Sequence, residues 1–145
     1  AHAATDITGF GLAGHLVEMC RGSGVSAEID FRTLPVFRMV PDCIAGGVMS
    51  GAIERNQEYA MAWVRADDPA AEPNLPILYD PQTSGGMLVA LAPPAAETFV
   101  GVMRERGHAA TSVIGRIIER TTAESRIVVT HGTFENLHGC EGGLL

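Results

Sequence analysis

Twice along this chain two strand-like runs follow one another with no helix between them. In "ILYDPQTSGGMLVALA" two apolar runs flank a turn-forming stretch, and "TSVIGRIIE" is followed by "SRIVVTHG" across "RTTAE". Neighbouring parallel strands need a long crossover, usually a helix, whereas antiparallel strands need only a turn. Both stretches therefore read as strand–turn–strand pairs. That order favours a mixed β-sheet with helices packed on it, an α+β domain.

The remaining segments fit around those pairs. Residues 1–8, "AHAATDIT", are polar and short-chained and read as loop or a brief extended piece. Leu12, Leu16 and Met19 recur at helical spacing, which predicts a helix from Gly9 to Cys20 with "RGSG" as its stop. In "VSAEIDF", Val25, Ala27, Ile29 and Phe31 alternate with Ser26, Glu28 and Asp30, which predicts a strand with one buried face. "RTLPVFRMVPD" reads as connection. "CIAGGVMSGAIERNQEYAMAWV" reads as short helical pieces interrupted by Gly46, Gly47 and Gly51, and "RADDPAAEPNLP" as a polar surface loop. "PPAAETFVGVMRERG" is a helix with Pro93 and Pro94 at its start and Phe99, Val102 and Met103 on its apolar face. The chain, 1–145, reads as one domain, with 132–145 expected to be a mobile tail.

The net charge of −7 and the scattered arginines leave no nucleic-acid footprint. Apolar runs such as "MLVALA" are too short to span a bilayer, so no membrane partner is expected. No basic start precedes an apolar block, and the cytoplasm is the expected compartment. Cys20, Cys43 and Cys140 are odd in number and lack C-x-x-C spacing, which argues against a disulfide framework and a zinc knuckle. The first residue is Ala1 rather than a methionine and the chain opens on a motif, so it is expected to be a piece of a longer polypeptide.

That motif is "TDITGFGLAGH", whose Gly9, Gly11 and Gly14 spell G-x-G-x-x-G. A dinucleotide site needs a buried strand ending at the first glycine and an acid about 20 residues on. Glu28 and Asp30 lie at that distance, but "AHAATDIT" carries only Ile7 as a large aliphatic residue and the first strand is missing. A second reading has Gly9 and Gly11 turning the backbone into a helix while Gly14 permits close helix–sheet contact. A third starts from Asp6, between two threonines and ahead of a helix N-terminus. Backbone N–H groups there can meet a phosphate, and a carboxylate would bridge to it through Mg²⁺. Asp6 or Thr8 acting only as a helix cap is the plain alternative. Asp80 to Gly86, "DPQTSGG", reads either as a hairpin turn in which Gly85 and Gly86 permit positive φ, or as a nest that holds an anion or packs on the Asp6 loop.

"ATDITGFGLAGHLVEM", then "GAIERN", then "LYDPQTSGGMLVAL" resemble the C-terminal domain of the selenophosphate synthetase (selenide, water dikinase) family. The resemblance runs from Ala4 to about Glu119. It implies the fold of the aminoimidazole ribonucleotide synthetase-like superfamily and an enzyme that makes selenophosphate, AMP and phosphate from ATP, selenide and water. It implies that Asp6 is a Mg²⁺ ligand on the ATP phosphates, with Thr5, Thr8, Gly9 and Gly11 as the adjoining cofactor-binding backbone. It further implies an N-terminal domain of the same polypeptide that carries the reactive Cys or selenocysteine, its Lys and further metal aspartates, and a homodimeric full-length enzyme. This chain by itself is then expected to be inactive. Ile53 stands where family members often carry Thr, so no hydroxyl role is assigned there. Two rivals remain from the residues alone: a non-catalytic ligand-binding or interaction domain of the same superfamily, and a dinucleotide-binding oxidoreductase fragment.

Other side chains read as structural. His15 is expected to be a partly buried, satisfied histidine, and Tyr59 and Trp63 a core pair on one helix. Asn56 reads as a ligand contact or a structural amide, and Arg116 as solvent-facing. His131, His138 and Cys140 lie close together in the tail in no zinc spacing.

Overall fold

The computed structural model describes residues 1–120 and 126–130. Strand β1 (Ala3–Asp6) leads into helix α1 (Gly11–Ser23) and strand β2 (Ser26–Asp30). Helices α2 (Val40–Ala45) and α3 (Ala52–Ala60) follow, then β3 (Val64–Ala66), α4 (Pro76–Tyr79) and β4 (Met87–Ala90). Helix α5 (Pro93–Glu105) and strands β5 (Gly115–Ile118) and β6 (Ile127–Thr130) complete the described fold. It is α+β, with a mixed four-stranded sheet in the order β3-β6-β2-β5 and a separate antiparallel pair, β1-β4.

The pairing differs from the one expected in two places. "ILY" is not a strand: Pro76 starts one turn of helix, α4, which buries Leu78 and Tyr79. Pro81 disfavours helical backbone at the residue before it, and Asp80 is extended at φ −64°, ψ 124°, which ends that turn. β4 pairs instead with β1, Asp6 opposite Met87. Likewise β5 and β6 do not pair with each other. β2 lies between them, antiparallel to β5 and parallel to β6. The central position of β2 explains a further departure. Ser26 and Asp30 are buried along with Ala27 and Ile29, so the expected one-sided alternation is lost. Ser26 Oγ accepts the Arg126 N–H (3.0 Å), and Asp30 accepts a two-pronged ion pair from Arg32 (2.8 and 3.1 Å), which satisfies both buried polar groups.

The core lies between α1, the four-stranded sheet and α4. On α1 the buried line is Ala13, Leu16, Val17 and Cys20, spaced i, i+3, i+4, i+7, with Leu12 and Met19 at its margins. Across from it lie Ile29, Ile127 and Val129 of the sheet and Leu78 and Tyr79 of α4. Each such side chain contributes about 1.5–3 kcal/mol by leaving water. Helix α5 forms as expected, but its apolar face is not buried: Phe99 is 37% and Val102 40% exposed. Tyr59 ends up 38% exposed, and Trp63 lies past the end of α3, so the two are not a core pair. Tyr59 O–H donates to Glu18, and the Arg21 guanidinium stands 4.7 Å over the Trp63 ring. Arg116 pairs with Glu28 across the strands at 2.6 Å and is only 30% exposed, not a free solvent-face residue. The tail, with His131, His138 and Cys140, lies outside the described residues. Among the described residues no helix is long and apolar enough to cross a membrane.

Candidate functional site

The two motifs meet. Ile7 N–H donates to the Gly86 carbonyl (2.9 Å), and Gln82 N–H donates to the Thr8 carbonyl (3.0 Å). A Cβ on Gly85 would land on the carbonyl of Ile7, so this glycine is required by close approach of the two loops. Neither Gly85 nor Gly86 has a positive φ, which replaces the expected turn geometry with a packing reason. "DPQTSGG" is thus a loop docked on "TDIT", not a hairpin turn. Gln82 Nε2 donates to the Asp80 carboxylate at 2.9 Å and holds the loop on itself.

The glycines of the first motif have separate jobs. Gly11 sits at φ +69°, and a Cβ there would press against the carbonyls of Leu78 and Asp80. Gly14 leaves room for the Phe10 side chain rather than for the sheet. Gly9 has no positive φ and open space where a Cβ would stand. Asn56, buried on α3, donates its amide hydrogens to the carbonyls of Gly9 and Tyr79, both at 2.8 Å. It is a structural amide that ties the first loop to α3 and α4.

Asp6 ends β1 with an exposed carboxylate that makes no hydrogen bond or ion pair among the described residues. The side chain of Thr5 donates to the Asp6 carbonyl at 3.2 Å. Helix α1 begins after Phe10 with no side-chain cap, so neither Asp6 nor Thr8 caps it. The Gly11 N–H is taken up by the Thr8 carbonyl, so what the helix start offers beside the loop is the positive end of its dipole and the exposed backbone at Gly9 and Phe10. Thr8 is different: its N–H and hydroxyl both meet His15 Nε2 at 3.0 Å, and its carbonyl accepts from Gly11 as well as Gln82. His15 is the satisfied histidine expected. Among the described residues no group of three His, Cys, Asp or Glu side chains gathers to hold a metal. Cys20 is buried, and burial pushes its thiol up to about 12.

The family model described as AIR synthase related protein, C-terminal domain, matches residues 1–128. The chain belongs to that family. Within it, the chain is similar to proteins named selenide, water dikinase. It is 41% identical to that of Dechloromonas aromatica (strain RCB) over 118 residues, 81% of this chain and 34% of the relative. To that of Geobacter metallireducens it is 41% identical over 123 residues, 85% of this chain and 36% of the relative. To that of Aeromonas hydrophila subsp. hydrophila it is 43% identical over 121 residues, 83% of this chain and 34% of the relative. The chain spans about a third of the length of these curated relatives.

In this AIR synthase related domain the dinucleotide arrangement has no counterpart. A strand does precede the glycines, contrary to the expectation that it is missing, but β1 pairs antiparallel with β4 and is not in the sheet that contains β2. The unit of strand, helix and adjacent parallel strand that the fingerprint needs is not formed. Glu28 and Asp30 are each engaged by an arginine. Of the two readings of Asn56, ligand contact or structural amide, the fold supports the second, on a helix face it shares with buried Ile53 and Ala60. One amide on an otherwise apolar face was the available signal. A groove of about 1050 Å³ beside the two loops was not anticipated, and its walls include Ile7, Leu12, Asp80, Leu88, Phe99 and Met103.

Proposed function

We propose that this chain is the C-terminal domain of a selenide, water dikinase and completes its Mg²⁺–ATP site. The parent enzyme would convert ATP, selenide and water to selenophosphate, AMP and phosphate. The observation that carries the reading is the open Asp6 carboxylate at the end of β1, beside an uncapped helix start. The similarity to dikinases over more than four-fifths of the chain supports it.

The donor set fits the ion in part. Mg²⁺ takes hard oxygen ligands and usually binds through one or two carboxylates with water and phosphate oxygens. Asp6 would supply one such oxygen donor. When bound, the ion neutralises charge on the phosphates. The residues of this chain would do the placing: β1 holds Asp6 against β4, and the exposed backbone at Gly9 and Phe10, just ahead of α1, would face phosphate oxygens, while Gly11 serves the turn by donating to Thr8. Thr5 sits in the same strand and orients the Asp6 peptide. Thr8 serves the loop rather than the ligand, because its polar groups are engaged. We assign the nucleophile and the other metal carboxylates to an N-terminal domain of the same polypeptide, in a cytoplasmic homodimer. The 145-residue chain, folded by circular dichroism, is then expected to form no AMP above background from ATP, Mg²⁺ and selenide. AMP formed steadily by this piece alone would overturn that division of labour.

A further inference from the structure

We infer that His15 is the positioning residue of the Asp6 loop, an inference that rests on the proposed Mg²⁺–ATP reading. A backbone N–H can only donate, so the Thr8 N–H at 3.0 Å makes His15 Nε2 an acceptor. Nε2 therefore carries no hydrogen, Nδ1 carries it, and the Thr8 hydroxyl at 3.0 Å must donate to the same nitrogen. One ring atom on the rigid second turn of α1 thus captures two donors of residue 8. The Thr8 carbonyl is held from the other side by Gly11 and Gln82, each at 3.0 Å. Residue 8 is fixed on every polar atom, two positions after Asp6.

The Asp6 carboxylate has no side-chain partner of its own among the described residues, so its direction depends on the backbone that carries it. Upstream that backbone is fixed by β4 and at Ile7 by Gly86. Downstream it is fixed at Thr8 by the His15 side chain, and one residue further on at the Gly9 carbonyl by Asn56, so His15 is the side-chain anchor nearest to Asp6 on that side among the described residues. The ring itself is seated edge-on against Phe10, with centroids 5.8 Å apart. Loss of the Nε2 acceptor would leave the Thr8 N–H without its partner and let the chain after Asp6 relax.

The test uses the full-length enzyme with three substitutions. His15→Leu removes the acceptor at similar volume. His15→Gln keeps an amide oxygen near the Nε2 position. His15→Asn, whose oxygen reaches only as far as Nδ1, serves as the disconnected variant if the leucine form does not fold. Two readouts are taken: the Mg²⁺ concentration for half-maximal turnover, and hydrogen–deuterium exchange of residues 5–10. Removing the acceptor is expected to raise the Mg²⁺ requirement by about tenfold, in the range seen when supports of metal ligands are lost, and to speed exchange of that segment. His15→Gln is expected to restore both. A lower melting temperature with unchanged Mg²⁺ requirement and unchanged exchange would make His15 merely structural and overturn the inference. Asp6→Asn is measured in parallel. If it shifts the Mg²⁺ response and the disconnected His15 variant does not, the inference alone fails. If Asp6→Asn leaves that response as in the wild type, the Mg²⁺ reading falls, and the inference falls with it.

Discussion

Asn56 and Cys20 are both buried on helices that face the core, and their chemistry separates their roles. Asn56 satisfies two carbonyls, of Gly9 and Tyr79, that an apolar side chain would leave without a donor. For Cys20 the deciding effect on ionisation is burial, which raises its thiol from 9.0 to about 12. A raised acid has a definite sign in stability. Below pH 9 the thiol is neutral whether folded or not. Between about 9 and 12 the unfolded thiol ionises and the folded one does not, so stability is lost as pH rises through that window. Urea melts from about pH 8 to about pH 10 are expected to show a steeper loss for the wild type than for Cys20→Ala. Parallel slopes for the two proteins would contradict the burial account. A thiol held neutral in this way is a poor nucleophile, in keeping with no catalytic role for Cys20.

At the level of elements, the docked loops depend on one missing side chain. Gly85 brings "DPQTSGG" against the carbonyl of Ile7, and no rotamer can relieve a Cβ there because the obstacle is backbone. Gly85→Ala is expected to cost about 1–3 kcal/mol and to loosen the β1–β4 junction. Gly9→Ala, with open space at that position, serves as the control and is expected to unfold near the wild type. Equal melting temperatures for the two variants would contradict the docking. The same loops show what local sequence can reveal. The helices α1 and α5 were legible because thirteen residues each carry a repeating pattern or a proline start. "ILY" was not, because three apolar residues fit a strand or a helical turn equally, and the choice was made by Pro76 and Pro81 on either side. Strand partners were not legible either. β5 and β6 are neighbours in sequence but both pair with β2, and pairing depends on which faces are buried in the finished sheet.

For the whole molecule, two words far apart in the chain, "TDITGFGL" and "DPQTSGG", were legible as a pair through their resemblance to one family, and the fold docks them together. Position and charge of Asp6 were readable; that its carboxylate has no partner among the described residues and does not cap α1 was not, since both depend on the folded chain. The contact between Thr8 and His15 was not legible either, because only the folded chain brings the two together. The claim that binds these scales is that Asp6 serves a metal on ATP. The most direct measurement is turnover of the full-length enzyme with Asp6→Asn, which removes one charge with almost no change in volume. Because the carboxylate makes no hydrogen bond or ion pair among the described residues, unfolding is expected to shift by no more than about 0.5 kcal/mol. ATP-dependent selenophosphate formation is expected to fall by roughly 10²-fold or more. Wild-type turnover in the Asn variant at limiting Mg²⁺ would remove Asp6 from the site and contradict the account.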